Sequence, residues 1–133
     1  MIKIIDYGLG NINAFINSYK RLDIEVESIN SLSNLKSSDK LILPGVGHFD
    51  EGLRRIHSLG LFDAITSLVK VNAVQILGIC LGMQLLCRTS EEGDLRGLGL
   101  VDADVKKFRF SSESKLKVPH MGWNVVSAPK ANP

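Results

Sequence analysis

A cysteine flanked by two glycines is the feature of this sequence best suited to chemistry. Cys80 lies at the centre of Gly78–Gly82. The preceding apolar run, Ala73–Leu77, is typical of a short buried strand, and the apolar spacing of Leu81–Cys87 is typical of a helix. A residue on so sharp a strand-to-helix turn is strained, and neighbouring glycines let the backbone fold tightly around it. The pattern therefore predicts a nucleophile presented where a helix begins.

The chemistry of this position depends on the ionisation of its sulfur. The positive end of the new helix favours the thiolate of Cys80 over the thiol. A cysteine buried as a small apolar residue is the commoner case in proteins, and it stays open as the alternative. Cys87 lies seven residues further along the same predicted helix, about 10 Å away along its axis, too far for a disulfide. Because neither cysteine belongs to a metal-ligand pattern, we expect two reduced thiols, no metal site, and only Cys80 exposed.

A cysteine nucleophile also needs donors for the oxyanion that forms during attack. The backbone N–H of Leu81 follows the nucleophile and points to where that charge would develop. Further donors are expected from the glycine-rich loop after the third predicted strand, although an ordinary turn is equally consistent with it. Gln84, one helical turn beyond Cys80, could bind a polar substrate, but a lone glutamine is more often simply exposed. The candidate loop residues are Gly45, Val46 and Gly47.

The three histidines do not supply an evident base. His48 follows the glycine-rich loop but begins a predicted helix, and a surface position fits it equally well. His57 lies near a helix end, where its imidazole would interact favourably with the helix dipole. His120 lies in a loop with the only tryptophan, Trp123, which suggests either a contact surface or a side chain packed in the core. The residues alone do not define a catalytic triad.

Strands alternate with helices through most of the chain, which predicts an α/β fold with a parallel sheet and helices on both faces. After residue 97 the pattern changes to two antiparallel strands joined by a polar loop, with no helix between them. We expect one domain over residues 1–133. The predicted strands are Lys3–Asp6, Ile24–Ile29, Lys40–Leu43, Ala73–Leu77, Leu98–Phe110 and Trp123–Ser127; the helices are Asn11–Leu22, Phe49–His57, Leu61–Val71 and Leu81–Cys87.

Composition excludes several classes of function. The formal net charge of +2 and the single short basic cluster, residues 106–109, do not indicate a nucleic-acid-binding protein. No apolar run approaches the roughly 20 residues of a membrane span. The first residues do not form a secretion signal, so we expect a cytoplasmic protein. Gly8 and Gly10 begin a pattern similar to a dinucleotide-binding loop, but Asn13 replaces its third glycine, and no cofactor is expected.

Four blocks of this sequence together resemble the class I glutamine amidotransferases. Among these, the match is nearest to the glutaminase subunits of imidazole glycerol phosphate synthase, an enzyme of histidine biosynthesis. The four blocks occur in the same order and span nearly the whole chain, so the resemblance is specific. They are Asp6–Asn11, Leu43–Gly47, Gly78–Leu86 and Val118–Asn124.

The resemblance implies a function for each block. Cys80 would attack the side-chain amide of glutamine, giving a thioester and ammonia, and water would then release glutamate. Leu81 and the Gly45–Gly47 backbone would hold the oxyanion, and Gln84 would help to bind glutamine. Ammonia would pass to a (βα)8-barrel cyclase subunit in a heterodimer. The expected partner interface is Pro119, His120, Met121, Gly122, Trp123 and Asn124.

The sequence departs from the family in one respect. Family members carry a His-Pro-Glu-type segment that supplies the base and its orienting acid, and these 133 residues contain none. We interpret the chain as the N-terminal portion of the domain rather than a degenerate homologue, and we expect it to hydrolyse glutamine negligibly alone. Two alternatives stay open: a glutaminase serving a sugar-modifying amidotransferase of surface polysaccharide synthesis, and a non-catalytic module that only docks a partner.

Overall fold

A four-stranded parallel sheet forms the centre of the protein, as seen in a computed structural model that describes residues 1–31, 33, 39–72, 74–111, 118–119 and 121–127. The strands are β1 (Ile2–Ile5), β2 (Val26–Ile29), β3 (Lys40–Leu43) and β4 (Ile76–Gly78), in the spatial order β2-β1-β3-β4. The predicted parallel sheet is therefore confirmed. The strand that leads to Cys80 begins at Ile76, later than predicted, and Ala73 lies outside the described residues.

Four helices connect and flank these strands: α1 (Ile12–Lys20), α2 (Phe49–Ser58), α3 (Leu61–Asn72) and α4 (Leu81–Leu86). All four predicted helices are present, with ends shifted by one or two residues. The Asn11 side chain caps α1 by accepting a hydrogen bond from the Ala14 N–H at 3.1 Å, as expected for an asparagine in this position.

The centre of the sheet is buried on both faces. Every residue from Leu41 to Leu43 is buried, as a central parallel strand requires. The connection from β1 to β2 runs in one direction along the sheet, and the connection from β3 to β4 runs in the other. Because such crossovers are right-handed, α1 lies on one face of the sheet and α2 and α3 lie on the other. The face beneath α2, α3 and α4 carries the main core: Ile5, Tyr7, Leu41, Leu43, Phe49, Leu53, Ile56, Leu61, Ile65, Val74, Leu81, Leu85, Leu86 and Leu98.

The region after residue 97 differs from the prediction. The short strands β5 (Thr89–Ser90) and β6 (Asp104–Val105) pair in parallel rather than antiparallel. A loop of 13 residues, 91–103, separates them, which lets the chain return to the same end before pairing, whereas a tight hairpin would force antiparallel strands. Residues 123–127, predicted as a strand, form no strand and are exposed.

The order of the strands determines where a ligand can bind. In a sheet with the order β2-β1-β3-β4, successive connections leave β1 and β3 in opposite directions. Ligands of such folds bind beyond the carboxyl ends of the strands at this switch point. The loops that follow β1, β3 and β4 all emerge at that edge, and they contain three of the four sequence blocks described above.

Candidate active site

Cys80 occupies a sharp turn between β4 and α4, as predicted. Its backbone has φ 54° and ψ −117°, a conformation that non-glycine residues rarely adopt. The turn is anchored next to Cys80 by the Ile79 N–H, which donates to the Leu43 carbonyl oxygen at 2.9 Å. The thiol of Cys80 is free and exposed, whereas that of Cys87 is free and buried. The alternative of a buried Cys80 is therefore wrong, and the expected difference in exposure between the two cysteines is confirmed.

The flanking glycines are required by close contacts of the backbone. A Cβ atom on Gly78 would lie 2.5 Å from the Met83 Cα, and one on Gly82 would lie 1.7 Å from the Leu43 carbonyl oxygen. Real Cβ atoms do not approach other atoms so closely. Glycine thus allows the first turn of α4 to fold back on β4 and to rest on the end of β3, which holds the Cys80 turn between two strands.

The loop Pro44–Gly47, which we call the oxyanion loop, lies against this turn. Gly45 is buried, and a Cβ on it would be 3.0 Å from the Leu81 Cβ and 3.2 Å from the Gly82 nitrogen. Val46 and Gly47 are exposed beyond it. Leu81, as the first residue of α4, carries a backbone N–H that has no acceptor within the helix. The structure therefore places Gly45 against the start of the helix that follows Cys80, with Val46 and Gly47 exposed next to it.

The loop after β1 completes this edge of the site. A Cβ on Gly10 would lie 3.3 Å from the Gly45 nitrogen, so the two loops touch. Arg55 of α2 reaches across and donates from Nη1 to the Gly8 carbonyl oxygen at 3.1 Å, and its Nε donates to Glu51 at 2.8 Å. Arg55 thereby ties the β1 loop to the helix that follows the oxyanion loop.

Tyr7 is a residue of this site that the sequence did not single out. Its ring is in the core, and its hydroxyl donates a hydrogen bond of 2.7 Å to the Pro44 carbonyl oxygen. Burial raises the pKa of Tyr7 well above its ordinary value, and negative charge at Cys80 raises it further. The only signal for this role in the sequence is the position of a tyrosine directly after the first strand.

Gln84 lies half-buried, one turn beyond the nucleophile, where its N–H donates to the Cys80 carbonyl oxygen at 3.2 Å. Its side chain lines a cavity of about 470 Å³ between α4 and the β5–β6 pair. Gln84 is therefore half-buried beside a cavity rather than simply exposed. The other lining residues are Ser90, Glu91, Glu92, Val105, Lys106, Lys107, Phe108, Val118 and Pro119.

Two carboxylates join the start of α2 to the loop beyond β5. Glu92 accepts a hydrogen bond of 2.9 Å from the Phe49 N–H, at the first residue of α2. Asp50 is buried and accepts from the N–H groups of Leu95 at 3.1 Å and Asp94 at 3.2 Å. The Leu95 N–H, with that of Asp94, holds the pKa of Asp50 below its ordinary value. This reciprocal pair fixes the oxyanion loop relative to the wall of the Gln84 cavity.

The two described histidines both have structural contacts. His48 caps α2, because its Nδ1 accepts a hydrogen bond from the Asp50 N–H at 3.2 Å. His57 stacks on Phe62 with ring centroids 4.2 Å apart. His120 lies outside the described residues.

The predicted partner segment is exposed wherever it is described. Trp123 is fully exposed, and Met121 is 86% exposed, so the alternative of a core-packed tryptophan is wrong. Val125 and Val126 extend this apolar surface. His120, one of the six residues proposed for the interface, lies outside the described residues.

No cluster of three or more histidine, cysteine or acidic side chains among the described residues is arranged to hold a metal ion. None of the helices in the described part of the chain has both the length and the apolar character needed to cross a membrane.

Residues 3–130 match the family described as glutamine amidotransferase class-I. The chain is similar in fold to a protein whose structure is titled "Crystal structure of glutamine amidotransferase", with a TM-score of 0.65 and 23% identity. That alignment covers 84% of this chain and 59% of the other.

Three curated relatives are each a subunit HisH of imidazole glycerol phosphate synthase. The Bdellovibrio bacteriovorus protein is 49% identical over 95% of this chain, and HisH 2 of Methanococcus maripaludis is 45% identical over 95%. The Leptospira interrogans protein is 43% identical over 99% of this chain. The matched part of the chain spans 62%, 61% and 65% of the length of these relatives, respectively.

Proposed function

Because the chain belongs to the class I glutamine amidotransferase family, we propose that it is the glutaminase part of an imidazole glycerol phosphate synthase. It would act in the cytoplasm, as the N-terminal portion of a single amidotransferase domain over residues 1–133. It hydrolyses glutamine to glutamate and ammonia and supplies the ammonia to a cyclase subunit. The observation that carries the proposal is the strained, exposed Cys80 with the oxyanion loop packed against its helix.

The proposed chemistry proceeds through a thioester. The Cys80 sulfur attacks the side-chain carbonyl carbon of glutamine, and the carbonyl oxygen becomes an oxyanion that accepts from Leu81 and from the Gly45–Gly47 backbone. The C–N bond then breaks, and the nitrogen takes up a proton and leaves as ammonia. Water attacks the thioester, which releases glutamate and restores the thiolate. These reaction steps require no cofactor.

Glutamine itself is assigned to the cavity beside α4. Gln84 offers an amide that can both donate and accept hydrogen bonds, and it lines the cavity from a position one helical turn beyond Cys80. Its volume of about 470 Å³ falls in the range of small-molecule sites. A substrate seated there would have its side chain directed toward the start of α4.

The base is the part of the mechanism that these residues do not provide. The resemblance assigns it to a His-Pro-Glu-type segment, which does not occur in this sequence. We therefore propose that residues 1–133 acylate slowly and turn over glutamine negligibly by themselves.

The cyclase partner is supported by an exposed apolar surface at residues 118–119 and 121–127. A fully exposed tryptophan is a costly feature for a free surface and a common anchor in protein interfaces. A (βα)8-barrel subunit bound here would shield ammonia from water, where at neutral pH it would be protonated and lose its nucleophilicity. The names of the relatives favour the histidine pathway over polysaccharide synthesis.

Selective alkylation tests the glutaminase proposal. A chloromethyl ketone analogue of glutamine should label Cys80 much faster than Cys87, and glutamine should protect Cys80. Cys80→Ser should abolish the labelling, and Cys87→Ser, the matched control, should leave it intact. Equal labelling of both cysteines, or none, would support the non-catalytic docking module instead.

A further inference from the structure

We infer that the Tyr7 hydroxyl is a positioning group for the oxyanion loop, holding its first carbonyl so that the following backbone faces the Cys80 turn. The relevance of this contact to catalysis rests on the proposed function. The hydrogen bond on which it is built, from Tyr7 to Pro44, does not depend on that function.

The hydrogen bond from Tyr7 to Pro44 fixes the orientation of the peptide plane between Pro44 and Gly45. The Pro44 carbonyl and the Gly45 N–H belong to one planar trans peptide, so they point in opposite directions. With the carbonyl held by the Tyr7 hydroxyl at 2.7 Å, the Gly45 nitrogen is directed to the other side, where it lies close to Gly10. The hydroxyl thus fixes the point from which Val46 and Gly47 extend.

Steric fit restricts the loop further. A Cβ on Gly45 would lie 2.1 Å from the Tyr7 hydroxyl oxygen, so only glycine allows this approach. The same Cβ position would lie 3.0 Å from the Leu81 Cβ and 3.2 Å from the Gly82 nitrogen, at the start of α4. One side of Gly45 therefore packs against both the tyrosine hydroxyl and the helix that presents the nucleophile, and a shift of either would move the oxyanion donors.

The Tyr7 hydroxyl stays protonated and can therefore always donate a hydrogen bond. Tyr7 lies in the core, and its raised pKa keeps the O–H protonated throughout the neutral range. It can therefore donate to Pro44 at any pH at which the protein works, and it does not serve as an acid or base toward Cys80. Tyr7 is a positioning residue, and its removal should affect geometry rather than ionisation.

Tyr7→Phe tests the inference, because it removes the hydroxyl while keeping the ring in the core. Tyr19→Phe, at the other tyrosine of the chain, half-buried on α1, is the matched control. The first measurement is amide hydrogen exchange at Gly45, a buried residue of the loop. Tyr7→Phe should accelerate exchange there about tenfold or more, whereas Tyr19→Phe should leave it unchanged. Unchanged exchange in Tyr7→Phe would overturn the inference.

The second measurement links the bond to reactivity at Cys80. Attack on the chloromethyl ketone analogue creates an oxyanion, whereas alkylation by iodoacetamide does not. Tyr7→Phe should slow the first reaction about 10- to 100-fold, the range expected from misplaced or lost oxyanion donors. It should leave the iodoacetamide rate and its pH midpoint unchanged. Equal slowing of both reactions, or a shifted midpoint, would contradict a positioning role.

The two proposals fail in different ways. Absence of selective labelling in the wild-type chain would reject the glutaminase proposal, while the exchange measurement would still decide whether Tyr7 holds the loop. Selective labelling that is insensitive to Tyr7→Phe would reject the inference and leave the glutaminase proposal standing.

Discussion

Gly82 rests directly on the end of β3, where a Cβ atom would lie 1.7 Å from the carbonyl oxygen of Leu43. The same carbonyl accepts the Ile79 N–H at 2.9 Å, so one backbone group contacts both sides of the Cys80 turn. The nucleophile is therefore held by main-chain contacts between two strands and a helix. Substitutions at this point should affect stability and geometry together.

Gly82→Ala should destabilise the protein by at least about 3 kcal/mol, because the added methyl group cannot be accommodated against backbone. Urea denaturation followed by circular dichroism measures the change. Gly60→Ala is the control, since Gly60 has φ +66° but open space around its Cβ position, and it should cost only about 1 kcal/mol. Equal losses at both positions would show that the contact with Leu43 is unimportant.

Asp50→Asn should destabilise the protein at neutral pH, since the buried carboxylate holds two backbone N–H groups of the loop at 94–95. The folded pKa of Asp50 lies below its ordinary value of 3.8, so its contribution is complete well above pH 3.8. The contribution declines as the pH falls through the folded value. The difference in unfolding free energy between wild type and variant should therefore be large at pH 6 and shrink at pH 3.

Asp63→Asn, on the exposed surface of α3, is the control for that series. It should change stability little at either pH. A difference at Asp50 that persists undiminished at pH 3 would mean that the carboxylate charge is not what the loop requires.

Glu27→Gln should destabilise the protein more than Lys3→Met. The Lys3 ammonium is buried in β1 and pairs with the largely exposed Glu27, and this hydrogen bond raises the pKa of Lys3. Removing only the acid leaves a buried charge without its partner, whereas replacing the lysine removes the charge altogether. Denaturation midpoints at pH 7 measure both. The reverse order would indicate that the ion pair itself is a net stabilising contact.

Trp123 should report binding of the proposed cyclase partner. As the only tryptophan and a fully exposed one, it should emit like free tryptophan and be quenched readily by iodide in the unbound chain. Binding should shift the emission to the blue and protect it. Trp123→Ala should weaken binding by about 2 kcal/mol or more, roughly 30-fold.

Val71→Ala, at an exposed position on α3, should leave partner binding within twofold of wild type. Quenching that is unaffected by saturating partner would remove Trp123 from the interface.

The parts of the fold that follow from local pattern could be predicted. Residues Ile2–Ile5 and Lys40–Leu43 are short, mainly apolar runs bounded by turn residues, a pattern typical of strands that a parallel sheet buries on both faces. Asn11 caps a helix because its side chain replaces a missing backbone acceptor. The region after residue 97 could not be predicted in the same way. Its strands depend on distant partners, and alternation alone does not specify whether a pairing is parallel or antiparallel.

The sequence by itself determined that Cys80 would lie at a glycine-flanked turn between a strand and a helix, since strain of this kind requires particular residues at particular spacing. Only the tertiary structure decided what surrounds that turn. The bond from Tyr7 to Pro44 and the contact of Gly45 with α4 join residues that are 37 and at least 36 positions apart. Such contacts arise because the carboxyl ends of parallel strands meet at one edge of the sheet, and nothing in the local sequence of either partner specifies them.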